Sequence, residues 1–214
     1  AAPAPPPQHY TVDQTPAPDA KPLPKLEDSD AAAQESLSAL FGVKLAEFFN
    51  LKDIVRRFVA TVDNLPREHV ANRLLFFKPV PGHFAGGSSI SPDNYGRYDA
   101  YVQLVQAVDT KQLVSAYIYF YPLFQQAYVG LGYPDGYFND RLVAVIDHLL
   151  AAPEPAQPVA LNQPGGVYTY ADPELEALSA GQKMMVRMGA KHEATVKDKL
   201  RQVRAELVSR APQK

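Results

Sequence analysis

The chain has 214 residues and a mass of 23.5 kDa, with 46% hydrophobic and 21% charged residues and a formal net charge of −2. That is enough for one ordinary domain with a real core, and its charge disfavours a broadly basic nucleic-acid binder. With no cysteine, disulfides, cysteine nucleophiles, zinc–cysteine sites and iron–sulfur clusters are excluded.

Residues 1–24 hold eight of the 20 prolines and five alanines, a composition that favours extended, solvated backbone and predicts a semi-stiff linker. The chain opens at Ala1 without methionine, which points to a segment removed upstream. Ser29 is placed to cap a helix over Asp30–Phe41, stopped by Gly42. Ile54, Val55, Phe58, Val62 and Leu65 make one face of a helix over Leu51–Leu65, with Asp53 and Arg57 as an i,i+4 pair. Pro66 ends it and is expected to open a further helix over Arg67–Phe77. Lys78–Ser91, with two prolines, three glycines and three serines, reads as a loop.

Ser91-Pro92 starts a helix predicted to run to about Val108. Asp109 and Gln112 have capping-box spacing and open the next. That helix meets Pro122, where a kink or break is expected, and stops at Gly130 and Gly132. Tyr133-Pro134-Asp135-Gly136 reads as a type I turn, followed by a helix over about Asn139–Ala151. Pro158–Gln163 and Val167–Ala171 flank Pro164-Gly165-Gly166 as the one good β-hairpin candidate. Asp172-Pro173-Glu174 restarts a helix, Ser179 and Gln182 form a second capping box, and Gly189 separates that helix from a last one over Ala190–Ser209. Leu113–Leu131 is a 19-residue run without charge. Its four tyrosines, two glutamines and proline mark it as a buried central helix, because those polar groups would need partners in hydrocarbon.

The motifs of nucleotide binding and of serine hydrolysis are absent, and no two of the five histidines share a helical turn, so no metal site and no cofactor are expected. Tyrosine is the informative excess: nine of 12 lie between Tyr95 and Tyr137. Tyr95, Tyr98 and Tyr101 would line one helix face, and Tyr117, Tyr121 and Tyr128 another. Such rings form either a core whose hydroxyls reach the surface or an aromatic groove for a sugar or a peptide. Asp140 and Asp147, seven residues apart, return to one helix face. Two carboxylates are the minimum for acid–base work on a glycoside, but an ion-pair network with Arg56, Arg57 or Arg73 is the simpler expectation. His148 reads as a core or boundary histidine. Residues 183–214 carry nine Lys/Arg against three Asp/Glu, which fits a terminal helix docked on an acidic body with a Glu193–Lys197 pair.

Several runs resemble one bacterial family, domain of unknown function 3014. They are Arg56-Arg57-Phe58-Val59-Ala60-Thr61-Val62-Asp63-Asn64-Leu65-Pro66, Ser91-Pro92-Asp93-Asn94-Tyr95, Tyr121-Pro122-Leu123-Phe124-Gln125, and Leu131-Gly132-Tyr133-Pro134 with Gly136-Tyr137-Phe138-Asn139-Asp140-Arg141-Leu142. Ala171-Asp172-Pro173 and Leu178-Ser179-Ala180-Gly181-Gln182-Lys183 also fit. The resemblance spans about residues 23–208. It implies a domain on the periplasmic side of the inner membrane, tethered through a Pro/Ala-rich spacer to an N-terminal membrane anchor outside this chain. It implies no catalytic role.

The expected architecture is mainly α: a single-domain helical bundle of about seven to nine helices over residues 25–210, with one small β-hairpin and a short tail at 211–214. The expected function is a non-catalytic cell-envelope module that binds a protein or glycan through a tyrosine-lined groove. The groove residues would be Tyr121, Gln125, Tyr128, Tyr133, Tyr137, Asn139, Asp140 and Arg141. The alternative is an enzyme acting on a cell-wall polysaccharide with Asp140 or Asp147 as acid or base.

Overall fold

In the computed structural model, residues 9–13, 21–42 and 44–210 are described. The expected tail at 211–214 and most of the expected linker therefore lie outside the described residues. Ten α-helices and one two-stranded antiparallel sheet make up the described chain, a mainly-α fold with one β-hairpin. The helices are α1 (Asp30–Phe41), α2 (Leu45–Phe48), α3 (Ile54–Asn64), α4 (Pro92–Gly96), α5 (Asp99–Ala107), α6 (Thr110–Gly130), α7 (Phe138–Leu150), α8 (Pro173–Glu176), α9 (Ala180–Met188) and α10 (Ala190–Ser209). The strands β1 (Leu161–Asn162) and β2 (Thr169–Tyr170) pair Leu161 with Tyr170. No described helix is long and apolar enough to cross a membrane.

The main core forms where α3, α6 and α7 pack together and α1 and α10 close the sides. Val55, Val59, Val114, Phe120, Phe138 and Val145 fill it. A second cluster joins the hairpin to α9 through Ile90, Leu161, Tyr170 and Val186. A third, with Tyr98, Val102, Met185 and Met188, seats α5 and α9 beside α10.

Many helix starts follow from local hydrogen bonds. The Asp109 carboxylate accepts from the Gln112 N–H (2.8 Å), and the Ser179 hydroxyl accepts from the Gln182 N–H (3.2 Å). Ser91 and Asp172 cap α4 and α8 in the same way. Gly42, at φ +76°, closes α1 by donating to Ser38 O.

Five local expectations are corrected. Ser29 does not cap α1 with its side chain; its hydroxyl donates to Leu26 O (2.8 Å). Asp53 pairs with Arg56 (3.6 Å), not with Arg57, whose guanidinium donates instead to the carbonyls of Lys52 and Arg73. No α-helix spans Arg67–Phe77, where only a single 3-10 turn, Asn72–Leu74, occurs. Its backbone is claimed from outside: Arg67 O accepts from Ala180 N–H (2.8 Å), and Phe76 N–H donates to the Thr61 hydroxyl (2.7 Å).

The helix expected from Pro92 to Val108 divides into α4 and α5, because the chain tightens to a Tyr98 N–H to Tyr95 O bond (3.0 Å). There the Arg97 side chain donates to Pro81 O and Gly82 O. Tyr95, Tyr98 and Tyr101 consequently share no single helix. Finally, the break expected as one alternative at Pro122 does not occur: α6 is continuous through this residue, whose side chain is exposed.

The basic C-terminal helix is docked. Lys197 is 3% exposed and sits 2.9 Å from Glu193, which is 1% exposed. It also donates to Ala152 O (2.7 Å) and Glu154 (2.8 Å). Burial pushes the Glu193 carboxyl up against the opposing pull of Lys197. Burial acts to lower the Lys197 ammonium, but its two carboxylate partners hold it above its ordinary value.

Candidate functional site

The eight residues expected to line a groove gather where the middle of α6, the 133–136 turn and the start of α7 meet. The turn closes with Gly136 N–H to Tyr133 O (3.2 Å). No residue of the turn caps α7. Gln125, reaching from α6, does that work. Its carbonyl oxygen accepts from Phe138 N–H (2.9 Å) and from the Tyr121 hydroxyl (3.1 Å), and its amide donates to Gly136 O (2.7 Å). Phe138, wholly buried, anchors the helix start among Phe58, Phe124 and Tyr117.

This start positions Asn139 and Asp140. Asn139 is 1% exposed, and its carbonyl oxygen accepts from the Tyr117 hydroxyl (3.1 Å). Its amide donates to the main-chain carbonyl of Tyr10 (2.9 Å), 129 residues away. Asp140 accepts from the Tyr10 main-chain N–H (2.7 Å) and pairs with the His9 ring (2.7 Å). The His9 ring lies 4.0 Å, centroid to centroid, from that of Tyr137. Val12 packs against the main core. The short segment His9–Val12 thus lies as a strap across the N-terminal end of α7.

On the other side of the helix start, Tyr128 stacks on Tyr133 at 4.6 Å. Beneath them Asp63, 2% exposed, accepts from Arg141 (3.0 Å), Arg67 (2.7 Å) and the Tyr133 hydroxyl (3.4 Å). Burial raises the phenol pKa of Tyr117 well above its ordinary value and those of Tyr121 and Tyr128 less strongly. These hydroxyls stay protonated donors through the neutral range. Burial, then the nearby Arg141 charge, lowers the pKa of His148, which meets the Ser179 hydroxyl at 2.7 Å.

The expected pairing of Asp140 and Asp147 with Arg56, Arg57 or Arg73 is not what forms. Asp147 is gripped by Arg204 of α10 through both oxygens (2.5 and 3.0 Å). The Asp147 carboxylate, and to a smaller degree Tyr10, raises the pKa of Arg204. Tyr121 and Tyr128 are buried, Tyr133 is partly buried and Tyr137 is 52% exposed, so the phenols support the helix start more than they line an open trough. Among the described residues no three His, Asp or Glu side chains converge as a metal would need. A separate concavity of about 240 Å³ between α1, α3 and α6 has an almost wholly apolar wall, including Leu37, Ile54, Phe58 and Phe120.

Sequence reading passed over Asp63, Arg67, Tyr117, Arg204 and the strap as parts of this site. Asp63 and Arg67 had a signal in their i,i+4 spacing. The strap had one too: residues 8–15 are a run free of proline and alanine inside a leader otherwise rich in both.

The chain matches the family described as Protein of unknown function (DUF3014) over residues 54–204. It belongs to that family. The matched span runs from the start of α3 into α10 and contains every residue of the site except the strap. No curated protein and no solved structure matches the chain.

Proposed function

We propose that this domain is a non-catalytic module of the bacterial cell envelope that binds a protein partner as an extended segment against the start of α7. One observation carries the reading. Asn139 and Asp140 take up both main-chain polar groups of a single residue, Tyr10, at 2.9 and 2.7 Å. A donor and an acceptor so spaced suit peptide backbone, as in other recognition modes where main-chain bonds supply affinity. A glycan partner would need open ring faces, whereas Tyr121 and Tyr128 are buried. The commitment of Asp140 to His9 and of Asp147 to Arg204 favours binding over acid–base catalysis. The periplasmic location rests on the family resemblance and is checked by fusing a reporter that is active only outside the inner membrane to the natural full-length protein.

The test is to probe a library of immobilised short peptides, with purified peptidoglycan beside it, using the full chain and its Asp140→Ala variant. We expect peptide binding that Asp140→Ala weakens while circular dichroism stays unchanged. Retention on peptidoglycan alone, or peptide binding indifferent to Asp140, would overturn the reading.

A further inference from the structure

We propose that the strap His9–Val12 is a displaceable occupant of the site, so that the domain is held closed by its own chain until a polypeptide segment of like chemistry takes the strap's place. This rests on the peptide-binding reading above and adds the identity of the resting ligand. The competing segment is extended polypeptide that offers the N–H and C=O of one residue to Asp140 and Asn139.

Three features support exchange. First, Asn139 is 1% exposed, and the Tyr117 hydroxyl fixes its carbonyl oxygen. Its amide points at Tyr10 O, and Asp140 accepts from the N–H of the same residue, so an extended segment that offers one residue's C=O and N–H can replace both bonds one for one. Both bonds are to main chain and so do not require this particular residue. Second, part of the strap's grip is open to solvent. The side chains of His9 and Asp140 remain 39% and 29% exposed, and the residue of the strap that reaches the main core is Val12. Solvent-exposed hydrogen bonds of this kind open locally at lower free energy than the global core. Third, the residues whose side chains bond the strap's main chain, Asn139 and Asp140, fall within residues 54–204, whereas the strap lies outside the family match.

The experiment uses the full chain and a Tyr10→Pro variant, which lacks the N–H that Asp140 accepts and alters no residue of the helical body. The probe is an acetylated, amidated peptide of sequence His-Tyr-Thr-Val-Asp, followed through the Asn139 side-chain amide signal by NMR. A control peptide carries N-methyltyrosine. Removing an internal competitor raises apparent affinity by the reciprocal of the open fraction, so we expect the peptide to bind Tyr10→Pro at least about tenfold more tightly than the unmodified chain. The N-methylated peptide should lose that binding.

Equal affinity for both chains would overturn the proposal that the strap blocks the site, while leaving the peptide-binding reading standing. If the Asn139 signal is unchanged by Tyr10→Pro, whose residue 10 keeps its carbonyl, the strap stays seated without the N–H bond to Asp140 and the claim that this bond holds it closed is refuted. If the signal moves but no peptide displaces the strap or binds the variant, the strap is a fixed part of the fold and the proposal fails.

Discussion

Gln125→Leu tests whether one side chain on α6 holds the start of α7. The substitution keeps the approximate volume and removes three hydrogen bonds: those with Phe138 N–H (2.9 Å), the Tyr121 hydroxyl (3.1 Å) and Gly136 O (2.7 Å). Each such bond contributes about 1 kcal/mol net, and a buried donor left without a partner costs about 1–3 kcal/mol. Phe138 is wholly buried and Tyr121 is 4% exposed, so water reaches neither donor easily; the Gly136 carbonyl, on a partly exposed residue, can turn to solvent. The expected loss is about 3–4 kcal/mol, a large share of the roughly 5–15 kcal/mol typical of a domain.

Urea unfolding at pH 7 measures it as a fall in midpoint at unchanged slope. Combining Gln125→Leu with Tyr121→Phe should recover about 0.5–1.5 kcal/mol of coupling, because the two side chains share one bond. A loss below about 1 kcal/mol for Gln125→Leu would refute the reasoning, since it would mean the helix start is held by packing of Phe138 alone.

Three further outcomes are expected. Gly189→Ala should destabilise by at least about 2 kcal/mol in thermal or urea unfolding, because Gly189 sits at φ +84°, ψ 156° and a Cβ there would come 2.8 Å from Tyr95; adding Tyr95→Ala should relieve the clash but not the backbone strain. Lys197→Met should cost about 3–5 kcal/mol by stranding the Glu193 charge, and the double variant Glu193→Leu/Lys197→Met should regain most of it. For His148, burial and Arg141 lower the folded pKa, so as pH falls the unfolded state takes up its proton first. The stabilising contribution is therefore full above the unfolded value of about 6.5 and is lost as pH falls through the lower folded value. His148→Gln should flatten the decline of stability over that acid range, and an unchanged pH profile would contradict the assignment.

The sequence by itself determined the elements whose hydrogen bonds close within a few residues. Asp109, Ser179, Ser91 and Asp172 cap helices two or three residues away, Gly42 and Gly189 mark ends, and the apolar stripe of α10 ends at a buried Leu207. The Glu193–Lys197 pair is likewise one helical turn. These contacts depend on spacing along the chain, which the order of residues states directly.

Tertiary packing alone decided the rest. Asp30, in the first turn of α1, uses both carboxylate oxygens to accept the N–H groups of Asp53 and Ile54 at the start of α3. Segment 67–77, expected as a helix opened by Pro66, instead gives backbone groups to α9 and α3. The site depends still more on packing: Gln125 reaches α7, Asp63 binds Arg141 78 residues on, and Asn139 and Asp140 hold Tyr10 about 130 residues back. Bringing such groups together depends on the core, because burial of α3, α6 and α7 offsets the entropy of closing loops that long. The strap is the clearest case: its residues show no pattern that names their partners, and their place is set by a donor and an acceptor that the folded body presents.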